Sequence, residues 1–182
     1  MVNWYVLMTR TGQENKAKEE ISNSWIMKTA SPFIPMKESY FRRAQQLKKE
    51  KEIMFPGYVF VETEIPESEF IACTLDYIKK SRLILKLLRY GDSNEIAVRE
   101  NESRFLKNLL NDNKCIEFLE GIIEGDKIVI TNGAFQGLES VIKKINRHKM
   151  QAMIEVELFG TIRTMTIGLE IVQKIKYKAV DE

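Results

Sequence analysis

The feature that most limits what this chain can fold into is a change of texture near Asp112. Before it, apolar residues recur at strand-like and helix-like spacings in turn; after it come only short β-rich runs parted by turn residues. "NWYVLMT" reads as a strand that ends at Arg10, Thr11 and Gly12. "QENKAKEEISNSWIMK" puts Ala17, Ile21 and Trp25 on one helix face. "FIPMKESYF" predicts a second strand, "RRAQQLKKEKE" a polar basic loop or hairpin tip, and "GYVFVETEI" a third strand. Pro66 opens a helix with Phe70, Ile71, Leu75 and Ile78 as its stripe, because a first-turn proline loses no hydrogen bond. "RLILKLL" is a further strand. "RENESRFLKNLLND" is a last helix, with Phe105, Leu106, Leu109 and Leu110 toward the sheet. The order β-α-β-β-α-β-α predicts an α+β layer, a mostly antiparallel sheet with its helices on one face.

The second part starts after a short polar joint, "NDNKCIEFLEG". "KIVIT", "LESVIKKIN", "QAMIEVELF", "TIRTMTIG" and "LEIVQKI" are divided by Asn132–Gly133, Gly137, Asn146–Arg147, Gly160 and Gly168. Five short runs at this spacing predict a small β-barrel. The expected organisation is a domain over residues 1–112, a linker over 113–117 and a barrel over 118–182.

Several functional classes drop out. Cys73 and Cys115 lie in different segments with no Cys-x-x-Cys pair, which argues against a zinc ribbon or disulfide scaffold and fits a reducing cytoplasm. The amino-terminal run is too short and polar for a signal peptide, and no apolar run spans a bilayer. His148 is the only histidine, neither cysteine has a neighbouring base, and no phosphate-binding glycine loop occurs. Neither catalysis nor a metal or cofactor is expected.

Net charge is only +2, so any nucleic-acid surface must come from local clusters. Arg42, Arg43, Lys48, Lys49 and Lys51 crowd one segment, and Lys79, Lys80, Arg82, Lys86 and Arg89 another. Lys143, Lys144, Arg147, His148 and Lys149 form a third, with Arg163 in the next hairpin and Lys174, Lys176 and Lys178 in the tail. Loop charge usually serves solubility, but small barrels repeatedly present loops to RNA. A different signal is "IMFPGYVFVE", where rigid Pro56 and permissive Gly57 hold Phe55 and Tyr58 after a basic run. That predicts a shaped apolar surface.

"WYVLMTRTGQE", "FPGYVFV", "EGDKIVITNGAFQGLESVI" and "ELFG" together, in this order over nearly the whole chain, resemble the NusG family of transcription elongation factors. The resemblance implies an N-terminal NGN domain and a C-terminal KOW domain built as a five-stranded SH3-like barrel. It implies that Phe55, Pro56 and Tyr58, with Trp4 and Tyr5 lining or supporting the same depression, dock on the clamp helices of the largest RNA polymerase subunit. Aromatic anchors of this kind contribute about 2 kcal/mol or more each. The mechanism implied is a clamp held closed and reduced pausing, by a monomer. Lys79, Lys80, Arg82 and Lys86 fall in the region near upstream or non-template DNA.

Departures point to a subtype. Ser140 stands where a second glycine is usual, and "FGTIRTMTIGLEIV" differs from the ending that contacts a ribosomal protein or termination factor. "LKLLRYG" and "GLEIV" look more like the LoaP subfamily, which implies a processive antiterminator recruited by an RNA hairpin. Lys143, Lys144, Arg147, His148, Lys149 and Arg163 are then the expected RNA contacts, although the Arg147 and Arg163 turns could lie at opposite ends of the barrel. The alternatives are a general NusG whose barrel binds proteins, and a ribosome-associated RNA-binding protein. The β-branched runs predict a permanent barrel, not a helical refold.

Overall fold

The computed structural model describes residues 2–24, 29–43, 46–91, 93–124 and 127–175; Trp25, Lys176 and Lys178 lie outside these, as do the side chains of Arg42 and Arg43. The first strands and helices are β1 (Asn3–Thr9), α1 (Glu14–Ser22), β2 (Ala30–Phe33), β3 (Met36–Arg43), β4 (Gln46–Ile53) and β5 (Tyr58–Thr63). There follow α2 (Glu67–Lys80), β6 (Ile84–Leu87), α3 (Glu100–Leu109), β7 (Cys115–Ile116), β8 (Leu119–Glu124) and β9 (Lys127–Asn132). A 3-10 turn at Glu139–Val141, β10 (Ile142–Asn146), β11 (Gln151–Leu158) and β12 (Thr161–Ile175) complete the described chain. Two compact units result. The first is Met1–Pro35, Ile53–Lys107 and Glu157–Thr161; the second is Met36–Glu52, Asn108–Val156 and Ile162–Glu182.

The first unit is built on an antiparallel sheet in the order β2-β5-β1-β6. Its register sets Trp4 opposite Glu62, Val6 opposite Phe60 and Met8 opposite Tyr58. Side chains alternate across a strand, so Trp4 and Tyr5 point to opposite faces. Tyr5 stacks on Phe70 of α2 with ring centroids 4.0 Å apart. Glu20 of α1 accepts hydrogen bonds from Tyr77 and Ser81, at the end of α2, and so places α1 beside α2. Lys107 of α3 instead lies over the Trp4 ring at 5.2 Å. The helices therefore do not gather on one face, as expected from the sequence; α3 covers the opposite one. Alternation along β1 decides this, because both faces carry large aromatics that must be buried. Also within this unit, the buried Glu102 carboxylate accepts the Tyr90 hydroxyl and the N–H groups of Phe159 and Gly160.

Two further expectations change in the basic segment. "FIPMKESYF" is not one strand: Ile34 and Pro35 divide it, and β2 and β3 belong to different sheets. The segment read as a polar loop forms β4, the edge of a three-stranded sheet in the order β4-β3-β7. Its lysine and glutamate side chains carry no apolar stripe, which hides a strand from pattern reading. Charge of this kind is how exposed sheet edges resist pairing with other chains. Glu52 of β4 also accepts Lys37 Nζ at 2.8 Å, and Lys37, only 8 % exposed, donates to the Thr166 carbonyl at 2.6 Å.

The rest of the second unit is a five-stranded sheet, β10-β11-β12-β8-β9, in which β8 and β12 run parallel. The strand number is as expected, but the set differs. β8 arises in and beyond the presumed joint, and two of the expected runs fuse into the single long β12. Gly168, read as a turn residue, lies inside β12. Its Cβ position is filled by the Phe118 ring, whose nearest atom is 2.1 Å from where the carbon would stand. The glycine answers a packing need and not a change of chain direction.

Candidate functional site

The turn between β4 and β5 is built on Gly57. Its φ of +84° is a conformation that glycine adopts without penalty, and a Cβ would press on the Thr9 carbonyl at 3.2 Å. The Gly57 carbonyl accepts the Thr9 N–H at 2.8 Å, and its own N–H donates to Glu14 Oε1 at 2.7 Å. Glu14 is 2 % exposed, at the start of α1. A buried carboxylate thus pins the turn to β1 and α1. Glu14→Ala leaves the Gly57 N–H unsatisfied and should cost about 1–3 kcal/mol in urea unfolding, with faster amide exchange at Gly57.

The expected polymerase-contact residues divide in their placement. Phe55 is 2 % exposed, with its ring 5.7 Å from Phe60. Trp4, also buried, packs edge-on to Phe33 at 5.0 Å and Phe60 at 6.0 Å, and its indole N–H donates to Glu62 at 2.6 Å. These rings form one aromatic floor. Tyr5 is on the far face; its hydroxyl donates to the Ile65 carbonyl at 2.8 Å, and burial first, then the Glu67 charge, pushes its pKa up to about 12. Only Pro56, exposed, and Tyr58, half-buried, meet solvent.

The register adds Met8, which motif reading missed, and Lys86, which the sequence had placed near DNA and not beside Tyr58. Half-buried Met8 lies opposite Tyr58, and exposed Lys86 of β6 lies opposite Met8. Tyr58, Met8 and Lys86 therefore form one row across three strands, on the face that carries Trp4 and Phe60. The period-two count from Trp4 to Met8 was the available signal.

In the second unit, Lys143, Lys144, Arg147, His148 and Lys149 are all exposed. Register shifts between Ile142 and Lys144, and this bulge lets both neighbouring lysines face solvent. The tight turn is closed by Lys149 N–H to Asn146 Oδ1 at 3.0 Å and Met150 N–H to the Arg147 carbonyl at 3.2 Å. Lys143 pairs with Glu155 at 3.8 Å, which offsets part of its charge. Half-buried Arg163 does not join this cluster. It follows the turn at the other end of β11, roughly 20 Å away along a strand that rises about 3.4 Å per residue. Among the described residues no group of acids, cysteines and histidine could hold a metal ion, and no helix is long and apolar enough to cross a membrane.

Comparison with known proteins gives this geometry its context. The family described as "Transcription termination factor nusG" matches residues 2–107. The transcription termination/antitermination protein NusG of Borreliella burgdorferi is 22 % identical over 94 % of this chain and 98 % of its own. Its counterpart from Chlamydia trachomatis is 24 % identical, over 88 % of this chain and 87 % of its own. That from Streptococcus pyogenes serotype M1 is 27 % identical, over 87 % and 88 %. A solved structure titled "Domain interaction in Thermotoga maritima NusG" is 19 % identical, with a TM-score of 0.49 over 92 % of this chain and 94 % of that one. With a family match spanning more than half of its 182 residues, the chain belongs to the NusG family of transcription termination and antitermination factors.

Proposed function

We propose that this protein is a specialised antiterminator of the LoaP type, docked on RNA polymerase by its first unit and recruited by a nascent RNA hairpin through its second. Pro56, Tyr58 and Met8 make the polymerase contact, with Phe55 and Trp4 as the rigid floor beneath them and Tyr5 bracing the sheet from behind. The clamp helices of the largest subunit are the docking site. An apolar ridge held on a packed aromatic layer loses little conformational freedom on binding. The bound factor would stabilise the closed clamp and carry polymerase through terminators in long operons. It works by binding alone, as a monomer in the cytoplasm.

The observation that carries the RNA reading is the β10–β11 hairpin, where five basic residues are exposed around one tight turn. A-form hairpins are bound through phosphates, shape and the accessible edges near loops and bulges, all within reach of Lys and Arg. Arg147 can also stack on, or bond bidentately to, an open base. Arg163, at the far end of β11, would meet a separate stretch of RNA or none.

In-cell crosslinking of the protein to RNA, followed by sequencing, tests this reading. A few leader RNAs that share one hairpin are the expected catch. A flat spread over all transcripts would favour a general elongation factor whose barrel binds proteins. With a recovered hairpin in hand, Arg147→Ala combined with Lys149→Ala should weaken binding by about tenfold or more. It should also flatten the dependence of log affinity on log salt by close to two phosphate contacts. An unchanged salt slope would remove this turn from the site.

A further inference from the structure

Helix α2 carries two apolar stripes, and the fold uses only one. Phe70 and Thr74 are buried against the sheet. Ile71, Leu75 and Ile78, at spacings of four and three, form a second ridge, in which Leu75 is 45 % exposed. Across a cavity of about 650 Å³ lies the edge strand β6. There a register shift against β1 leaves Leu85 as the extra residue of a bulge, 46 % exposed and part of the cavity wall. Among the described residues the lining is aliphatic apart from Lys86, Arg89 and Asn94, and none of them is a carboxylate. Exposed Lys80 and Arg82 lie at the adjoining end of α2, where Lys79 pairs with Asp76 at 3.4 Å.

We propose that this groove binds an acidic amphipathic helix from a protein partner. The ridge from Ile71 to Ile78 is about two helical turns long, which suits a helix presenting apolar residues at i, i+3 or i+4, and i+7. Charge complementarity sets the partner's flanks: the exposed Lys86 and Arg89 on the rim favour Glu and Asp beside that apolar stripe. A phosphate backbone is the poorer fit. The floor at Leu75 and Leu85 offers nothing to phosphate, and among the described residues no aromatic side chain lines the groove for bases to stack upon. The groove shares only Lys86 with the Tyr58 row, and the proposal does not depend on that row docking on polymerase.

The test uses the full chain and a labelled peptide of about 18 residues, with leucines at the helical spacing and glutamates on the flanks. Its controls are a scrambled peptide and a duplex DNA of about 20 base pairs. Expected results are saturable binding of the amphipathic peptide, backbone amide shifts confined to α2 and β6, and helix formation by the peptide. Leu75→Asp, at an exposed site that leaves the fold intact, should weaken binding about tenfold or more, and so should Lys86→Glu with Arg89→Glu. Equal binding of the scrambled peptide, indifference to Leu75→Asp, or no saturable binding at about 1 mM would each overturn the proposal. Displacement by duplex DNA from a site insensitive to Leu75→Asp would assign the rim to phosphate instead.

Discussion

Phe60→Ala should remove about 3–5 kcal/mol of the first unit's stability, the largest loss expected from any single truncation in its core. Phe60 is fully buried, and three rings converge on it: Trp4 at 6.0 Å, Phe33 at 5.5 Å and Phe55 at 5.7 Å. Aromatic rings cannot relax into the space as aliphatic chains do, so most of the cavity would persist. Such a loss is a large share of the roughly 5–15 kcal/mol that holds a domain folded. Urea unfolding followed by tryptophan fluorescence measures it. Phe60→Leu keeps most of the volume and should cost less than about 1.5 kcal/mol. Equal losses in the two variants would mean that the ring is not the keystone of this layer. The same cluster supports the Pro56–Tyr58 turn, so a Phe60→Ala protein should also lose polymerase binding, through unfolding and not through a lost contact.

The second large effect is expected at Gly168, where alanine should destabilise the second unit by about 1–3 kcal/mol or somewhat more. The added carbon would overlap two Phe118 ring atoms, at 2.1 and 2.2 Å, and approach the Glu38 carbonyl at 3.0 Å. The ring has limited room to retreat. Tyr40 packs on it edge-to-face at 4.4 Å, and Lys49 Nζ lies 4.6 Å from its centroid. Phe118→Leu in the Gly168→Ala background should recover part of the loss, a coupling that a thermal-unfolding cycle reads directly. Gly91→Ala is the control: its Cβ would meet nothing within 4 Å, and the change should be nearly neutral. Equal effects at the two glycines would contradict the packing reason for Gly168.

What the sequence disclosed follows from how local each cause is. The Phe55–Tyr58 turn was legible because proline and glycine announce their backbone needs in four consecutive residues. The exposed turn at Arg147 was legible for a different reason, an asparagine and a run of charged residues between two apolar runs. The burial of Phe55 was not, since the direction of a side chain leaving a turn depends on what waits beneath it, here Phe60. Trp4 and Tyr5 share a motif but not a face, and strand alternation alone would have parted them. β4 escaped notice because its charged side chains lack the apolar stripe by which strands are recognised. Gly168 was taken for a turn because glycine usually marks one; its true reason, the Phe118 ring, is far away in the chain. The second stripe of α2 was visible as Ile71, Leu75 and Ile78, but only the fold showed that they line an open cavity while Phe70 turns inward.

The measurement closest to the central claim is the affinity of the full chain and of Tyr58→Ala for purified RNA polymerase, with melting temperature and RNA binding followed in parallel. Tyr58 is half-buried at the rim of the aromatic floor and opposite Met8, so its truncation exposes the floor without emptying it. Polymerase affinity should fall about tenfold or more, as for a central aromatic anchor, while melting and RNA binding stay close to wild type. Unchanged polymerase affinity in a folded Tyr58→Ala protein would contradict the docking of this face on polymerase.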